Sequence, residues 1–189
     1  RGQFVKELQI ENQAKQMTMD PRAQAKFHDF LLHWLEMNAK ELPTKSTQKY
    51  PDFSSFLALD LRRSLFRTIE KIVWEKKGHF EDFLRMENFE SNRAIAEYYG
   101  MQFPKEKKPT DFVTFHSSKI KRQGLHTHPY LLASHSYAEE SSPIHRGVFV
   151  SRKILGRTLR PPKEAVSFSN SDFDQSRTMR QKDSTLTKP

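Results

Sequence analysis

The sequence predicts an all-α fold, a helical bundle followed by a less regular, basic C-terminal half. Three observations lead to that expectation. Apolar residues recur at steps of three and four through residues 21–37 and 54–77, as one face of an amphipathic helix requires. Caps and breakers stand where such helices would begin and end: Asp20-Pro21 before the first, Gly78 after the second. Within the first hundred residues no segment alternates with period two long enough to compete as a strand.

Residues 3–19 set Phe4, Leu8, Ala14 and Met17 at loose helical spacing. The helix opened by Asp20 and Pro21 is better specified, with Ala23, Phe27, Phe30, Leu31, Trp34 and Leu35 on one stripe. Residues 41–44 (ELPT) break that pattern, and 45–52 read as loop. Asp52 or Ser54 then caps a long helix, apolar at Leu57, Leu61, Leu65, Ile69, Ile72 and Val73. Arg62, Arg63, Arg67, Glu70 and Lys71 fall on its solvated side. The two long helices are expected to pack together, Phe27, Leu31 and Trp34 against Leu61, Leu65 and Ile69. Phe80, Phe83 and Leu84 form a short helix or turn. Ser91-Asn92 caps a helix through Ala94, Ile95, Tyr98 and Tyr99, which Gly100 ends.

The charged, unpatterned KEKKPT after Phe103 marks a boundary, dividing the chain into residues 1–103 and 104–189. Beyond it DFVTFH (111–116) alternates as a short strand does. Residues 124–133 carry His126, His128 and Pro129. Ser142 as cap and Pro143 at the first helical position open a helix through Ile144, Val148, Val150, Ile154 and Leu155, closed by Gly156. Arg160-Pro161-Pro162 stops it, and residues 167–189 are polar and weakly patterned.

Composition narrows the chemistry. The 189 residues carry 32 Lys+Arg against 23 Asp+Glu, a formal charge of +9. Residues 104–163 hold nearly all of that excess, 12 basic against 4 acidic, in KEKK (105–108), KIKR (119–122) and a scatter from Arg146 to Lys163. The expected partner of such a face is anionic, an acidic polymer or an acidic redox protein; the plainer reading is a solvated linker. No nucleic-acid motif and no aromatics interleave with the basic runs. No apolar run approaches the roughly 18 residues of a membrane span. There is no cysteine, which excludes disulfides, thiolate nucleophiles, cysteine-ligated zinc and thioether-bound haem within these residues.

His126, His128 and His135 form the densest histidine group and are the candidate metal ligands. No carboxylate lies near them in sequence, so a turn histidine pair before Pro129 is the alternative. Met17, Met19, Met37, Met86, Met101 and Met179 are soft donors, and equally core or loop filler. Asp60, Glu70, Glu81 and Asp82 fall on separate faces or elements, and no catalytic constellation is visible. Trp34 and Trp74 read as packing.

Three long words in order, DPRAQAKFHDFLLHWLEM, YPDFSSFLALDLRRSLFRTIEKIVW and FLRMENFESNRAIAEYYG, resemble the helical modules of planctomycete-specific secreted proteins of unknown function. The stretch RQGLHTHPYLLASHSYAEESSPIHRGVFVSRKILGRTLRPP resembles the start of the planctomycete cytochrome-c-type domain that follows them. Its most recognisable residues are here Ser142, Pro143, Ile144, His145, Arg146, Gly147, Phe149 and Val150, then Ile154, Leu155, Gly156, Pro161 and Pro162. The resemblance runs from about Ala14 onward. It implies that a C-x-x-C-H haem attachment site follows the segment marked by Thr178, Met179, Arg180, Leu186 and Thr187. The chain stops just short of it, so no haem is bound covalently here and haem c is expected from the downstream segment.

The resemblance also implies export to an extracytoplasmic location, with the rest of the same polypeptide as partner. The expected function is a non-catalytic scaffold of an electron-transfer protein. The alternative is an extracytoplasmic binding or assembly module that docks an acidic polymer or a partner protein. His145, Arg146 and Gly147 are the candidates for packing at the haem site. Cationic Arg146 near a helix start opposes the helix dipole, so a haem propionate or a carboxylate such as Glu139 or Glu140 is expected beside it. Gly147 costs helix stability where Ala would not, which predicts an inward position against a backbone or a cofactor edge.

Overall fold

A computed structural model of the chain describes residues 7–37, 42, 44–75, 78–116, 122–158, 160 and 181. Phe4, Lys119 and Lys121 of KIKR, Pro161, Pro162, and the tail from 167 apart from Gln181 lie outside the described residues. The fold is mostly helical with one small two-stranded sheet, and it divides into two compact units, Arg1–Glu41 and Leu42–Pro189.

The first unit holds α1 (Glu7–Thr18) and α2 (Pro21–Trp34). Asp20 caps α2 as expected: its carboxylate accepts the Arg22 backbone N–H at 2.8 Å and pairs with the Arg22 guanidinium at 2.7 Å. The helix stops three residues before the expected end. Glu36 takes φ 56°, the Met37 N–H reaches back to the Leu32 carbonyl at 2.8 Å, and the Met37 side chain is buried. This is the reverse turn that usually takes glycine at the left-handed position. Glutamate stands there instead, and burial of Met37 offsets the backbone cost.

In the second unit α3 (Ser55–Glu70) is the spine. Ser54 caps it, accepting the Leu57 N–H at 3.1 Å. Leu57, Leu61, Leu65 and Ile69 are buried at the expected spacing, and Ile72 follows on a wider π turn, Lys71–Glu75. The face that the sequence assigned to the 21–37 helix is covered within this unit by β1 (Asn88–Ser91), α5 (Arg93–Tyr98) and α6 (Pro129–Ser134). Between them lie α4 (Phe80–Arg85), β2 (Val113–His116) and a 3-10 turn, Leu125–Thr127. The described chain continues in α7 (Pro143–Phe149), which runs on as a second π turn, Val150–Ile154.

The expected strand over 111–116 is present as β2. Its partner β1 corrects the expectation of helices alone in the first hundred residues. The two pair antiparallel with Phe89 opposite Phe115 and Glu90 opposite Thr114. The β1 residues Phe89, Glu90 and Ser91 are all buried, so hydropathy does not alternate and no period betrays the strand. This pairing joins chain on either side of residue 103.

What holds β1 in place is a ladder of small polar side chains on α3. Ser64 and Thr68, one turn apart, are fully or almost fully buried within the apolar stripe. Thr68 Oγ1 accepts the Glu90 backbone N–H at 2.9 Å, and Ser64 Oγ donates to the Glu90 carbonyl. A strand edge that would otherwise leave buried donors and acceptors open is thus satisfied by a helix. The Glu90 carboxylate accepts from Lys71 Nζ at 3.0 Å and Thr114 Oγ1 at 2.6 Å, so Lys71 is paired rather than simply solvated. No helix among the described residues is long and apolar enough to cross a membrane.

Candidate functional site

Among the described residues of the second unit His128 is the most buried titratable group, 2 % exposed, at the start of α6. Its Nδ1 accepts the Tyr130 N–H at 3.2 Å, which leaves the proton on Nε2 to donate to Ser64 Oγ at 3.1 Å. Ser64 in turn donates to the Glu90 carbonyl, so one chain of hydrogen bonds runs from α6 through α3 to β1. Burial, with a smaller contribution from the nearby Arg122 charge, pushes the imidazole down to about 3. It is neutral at physiological pH, as a structural histidine must be in such surroundings.

The three histidines of the candidate metal site do not converge. Both ring nitrogens of His128 are engaged as described. His135 Nδ1 lies 2.9 Å from the Leu131 carbonyl, and its ring rests 4.5 Å from that of Phe149. His126 is half-buried on the 3-10 turn, its pKa lowered by burial. Among the described residues no group of three His, Asp or Glu side chains could hold a metal ion. Helical and turn geometry send neighbours in sequence to different environments, which spacing alone does not reveal.

The SPIHRG segment forms the helix start its residues specify. Ser142 Oγ accepts the His145 N–H at 3.2 Å and Pro143 occupies the first turn. Gly147, however, is exposed, and among the described residues a Cβ built there meets nothing within 4 Å, which corrects the inward expectation. His145 is also exposed, its ring 5.1 Å from that of Tyr137. Arg146 is half-buried, and its Nε points to the Ser142 carbonyl at 3.4 Å, a long contact.

Arg146 lies on the wall of a cavity of about 320 Å³. The cavity is built from five stretches that sequence reasoning treated separately: the loop after residue 44, the end of α5, Arg122 before the 3-10 turn, α6 with the loop behind it, and α7. Lys45 is buried here. Its ammonium donates to the Ala133 carbonyl at 2.9 Å, Ser136 Oγ at 2.7 Å and the Tyr137 carbonyl at 3.0 Å, and desolvation lowers its pKa. The Ala133 carbonyl lies in the last turn of α6 and the Tyr137 carbonyl just beyond it, so the cation ties the 44–50 loop to the end of that helix. The Ser46 N–H to the Ala138 carbonyl (3.0 Å), the Tyr50 hydroxyl to the Glu139 carbonyl (3.2 Å) and Lys49 to the Glu139 carboxylate (3.1 Å) complete the seam.

The opposite wall is aromatic. Phe53 meets Tyr98 edge to face at 6.1 Å, Tyr98 meets Tyr99 at 5.2 Å, and the Arg122 guanidinium sits over the Tyr99 ring at 5.1 Å. Burial raises the pKa of both phenols, in Tyr99 against the opposing pull of Arg122. Among the described residues the cavity lining contains no imidazole or thioether.

Sequence comparison places residues 1–101 in the family model PSD4, protein of unknown function (DUF1592). Residues 122–189 match PSCyt3, protein of unknown function (DUF1588). No curated protein and no solved structure gives a significant match.

Proposed function

Because the chain belongs to the PSD4 (DUF1592) family, with a PSCyt3 (DUF1588) segment following it, we propose that it is the non-catalytic helical scaffold of an exported electron-transfer protein. These are planctomycete cytochrome-associated domains of unknown function. The observation that supports a scaffold is the outward face of α7. Ile144 is 62 % exposed and Leu155, just past the π turn, 56 % exposed, while Gly147 between them leaves open space. Two large exposed apolar side chains and a bare stretch of backbone within one short segment suit close approach of another segment of the same polypeptide. Haem c supplies one-electron chemistry and needs two cysteine thioethers, which this chain, without cysteine, does not provide. In this reading Ile144 and Leu155 exclude water from the contact and Gly147 lets the partner backbone approach.

The test is a longer chain carried through the downstream region and produced with haem-attachment machinery outside the cytoplasm. It should bind haem covalently and show a c-type absorption spectrum. A downstream sequence without C-x-x-C-H, or a purified protein without haem, would sink the proposal.

Gly147→Ala adds a second reading of the same face. In the 189-residue chain the methyl enters open space on a helix, so thermal unfolding should show a gain of roughly 0.8–1.0 kcal/mol. In the haem-bearing longer chain the methyl meets the docked segment and the gain should disappear. The same gain in both chains would place the docking contact elsewhere.

A further inference from the structure

The aromatic, basic cavity is separate in its residues from the α7 face and stands whether or not the haem reading holds. Three cations line it, Lys45, Arg122 and Arg146, against the single carboxylate of Glu140. Lys45 is buried with only neutral oxygens as acceptors among its hydrogen-bond partners, so its charge is solvated by the fold but not neutralised. The Lys45 charge in a partly desolvated recess, with three cations to one carboxylate in the lining, favours an anion there. Arg146 brings a planar fork that matches a carboxylate bidentately, and the hydrogen bond its side chain makes among the described residues, 3.4 Å from Nε to the Ser142 carbonyl, is weak enough to exchange.

The remaining wall asks for more than a bare ion. Phe53, Tyr98 and Tyr99 interlock edge to face, a rigid apolar surface whose geometry is set before any ligand arrives. Tyr137 stands at the rim, 48 % exposed. A volume of about 320 Å³ lies at the small end of the range for small-molecule sites. Charge, ring surface and size together select one ligand chemistry. We infer that this cavity binds a small ring-bearing carboxylate, with the carboxylate on Arg146 and the ring against the tyrosine wall.

That chemistry has two sources, an aromatic acid and a sugar acid, and the test separates them. Benzoate and glucuronate would each be titrated into the 189-residue chain, with benzyl alcohol, glucose and inorganic phosphate as comparisons, followed by calorimetry and by NMR shifts of the Arg146 and Tyr98 signals. Saturation by benzoate assigns an aromatic acid, and saturation by glucuronate assigns a uronic sugar. In either case the neutral comparison and phosphate should bind at least about tenfold more weakly. Arg146→Gln and Tyr98→Leu should each weaken the binding about tenfold or more, whereas Arg152→Gln, on an exposed side chain outside the cavity, should leave it unchanged. Arg146→Gln keeps side-chain length and sits in no core, and its melting temperature should match the parent. The inference is overturned if neither acid saturates below about 10 mM, if phosphate binds as tightly, or if a folded Arg146→Gln protein binds unchanged.

Discussion

Leu65→Ala should lower the unfolding free energy by about 2–5 kcal/mol, the cost of truncating a side chain in a packed core. Leu65 is 0 % exposed at the middle of α3, where β1, α5 and α6 close over the helix. Its neighbour Arg63 offers the contrast. Its side chain is 71 % exposed and lies 3.5 Å from Asp60 in a pair one turn apart on the surface. Such pairs contribute little in water, so Arg63→Ala should cost less than about 1 kcal/mol. Urea denaturation of the two variants reads the difference directly. Equal, small losses would mean that the α3 stripe does not carry the core of this unit.

Much of that core was legible because it is local. Asp20, Ser54, Asn92 and Ser142 each cap the helix their position announced, and Gly100 and Gly156 take positive φ where helices end. The α3 stripe was readable for the same reason, since burial on one face imposes a period on the sequence. What the α3 stripe touches was not readable. Ser64 and Thr68 interrupt an apolar face, yet they are the contacts that seat β1. Their one visible signal was polar residues with short hydroxyls, four apart, on a buried face. The strand itself buries three successive residues, one of them a glutamate, so it carries no alternation to detect.

The site was legible in fragments only. Arg146 and Arg122 stood out as members of basic motifs, but Lys45 lay in a stretch read as loop, and Tyr98 and Tyr99 read as the end of a helix. Their meeting depends on contacts between residues about fifty or ninety positions apart, such as Lys45 with Ser136. Local pattern holds no information about pairings of that range. The reading of Gly147 failed for a related reason: an unfavourable residue signals that something nearby compensates, without saying whether the compensation lies inside this chain. At an exposed position with open space around it, any compensation lies outside the described fold.

Acid should destabilise the second unit more steeply than it does a variant lacking His128. The imidazole titrates at about 3 in the folded protein, against 6.5 when it is free of its surroundings. Above pH 6.5 the ring is neutral in both states and its burial carries no ionisation penalty. As the pH falls from 6.5 towards 3 the unfolded chain takes up a proton that the folded protein refuses, and stability falls by about 1.4 kcal/mol per pH unit. The cumulative loss approaches about 5 kcal/mol, an upper figure because local opening admits water before the full penalty is reached. Below pH 3 this contribution flattens. His126, also lowered by burial, acts in the same direction, so a difference between proteins isolates His128 better than one absolute slope. His128→Phe removes the titration but leaves Ser64 Oγ and the Tyr130 N–H without their imidazole partner. At pH 7.5 it should therefore be less stable than the parent by about 1–3 kcal/mol. Between pH 6.5 and 5, before most carboxylates protonate, the parent should lose stability faster, so the two denaturation curves converge. Parallel losses across that window would show that the imidazole is charged at little cost in the native fold, and the buried chain from α6 to β1 would not be the structural element described here.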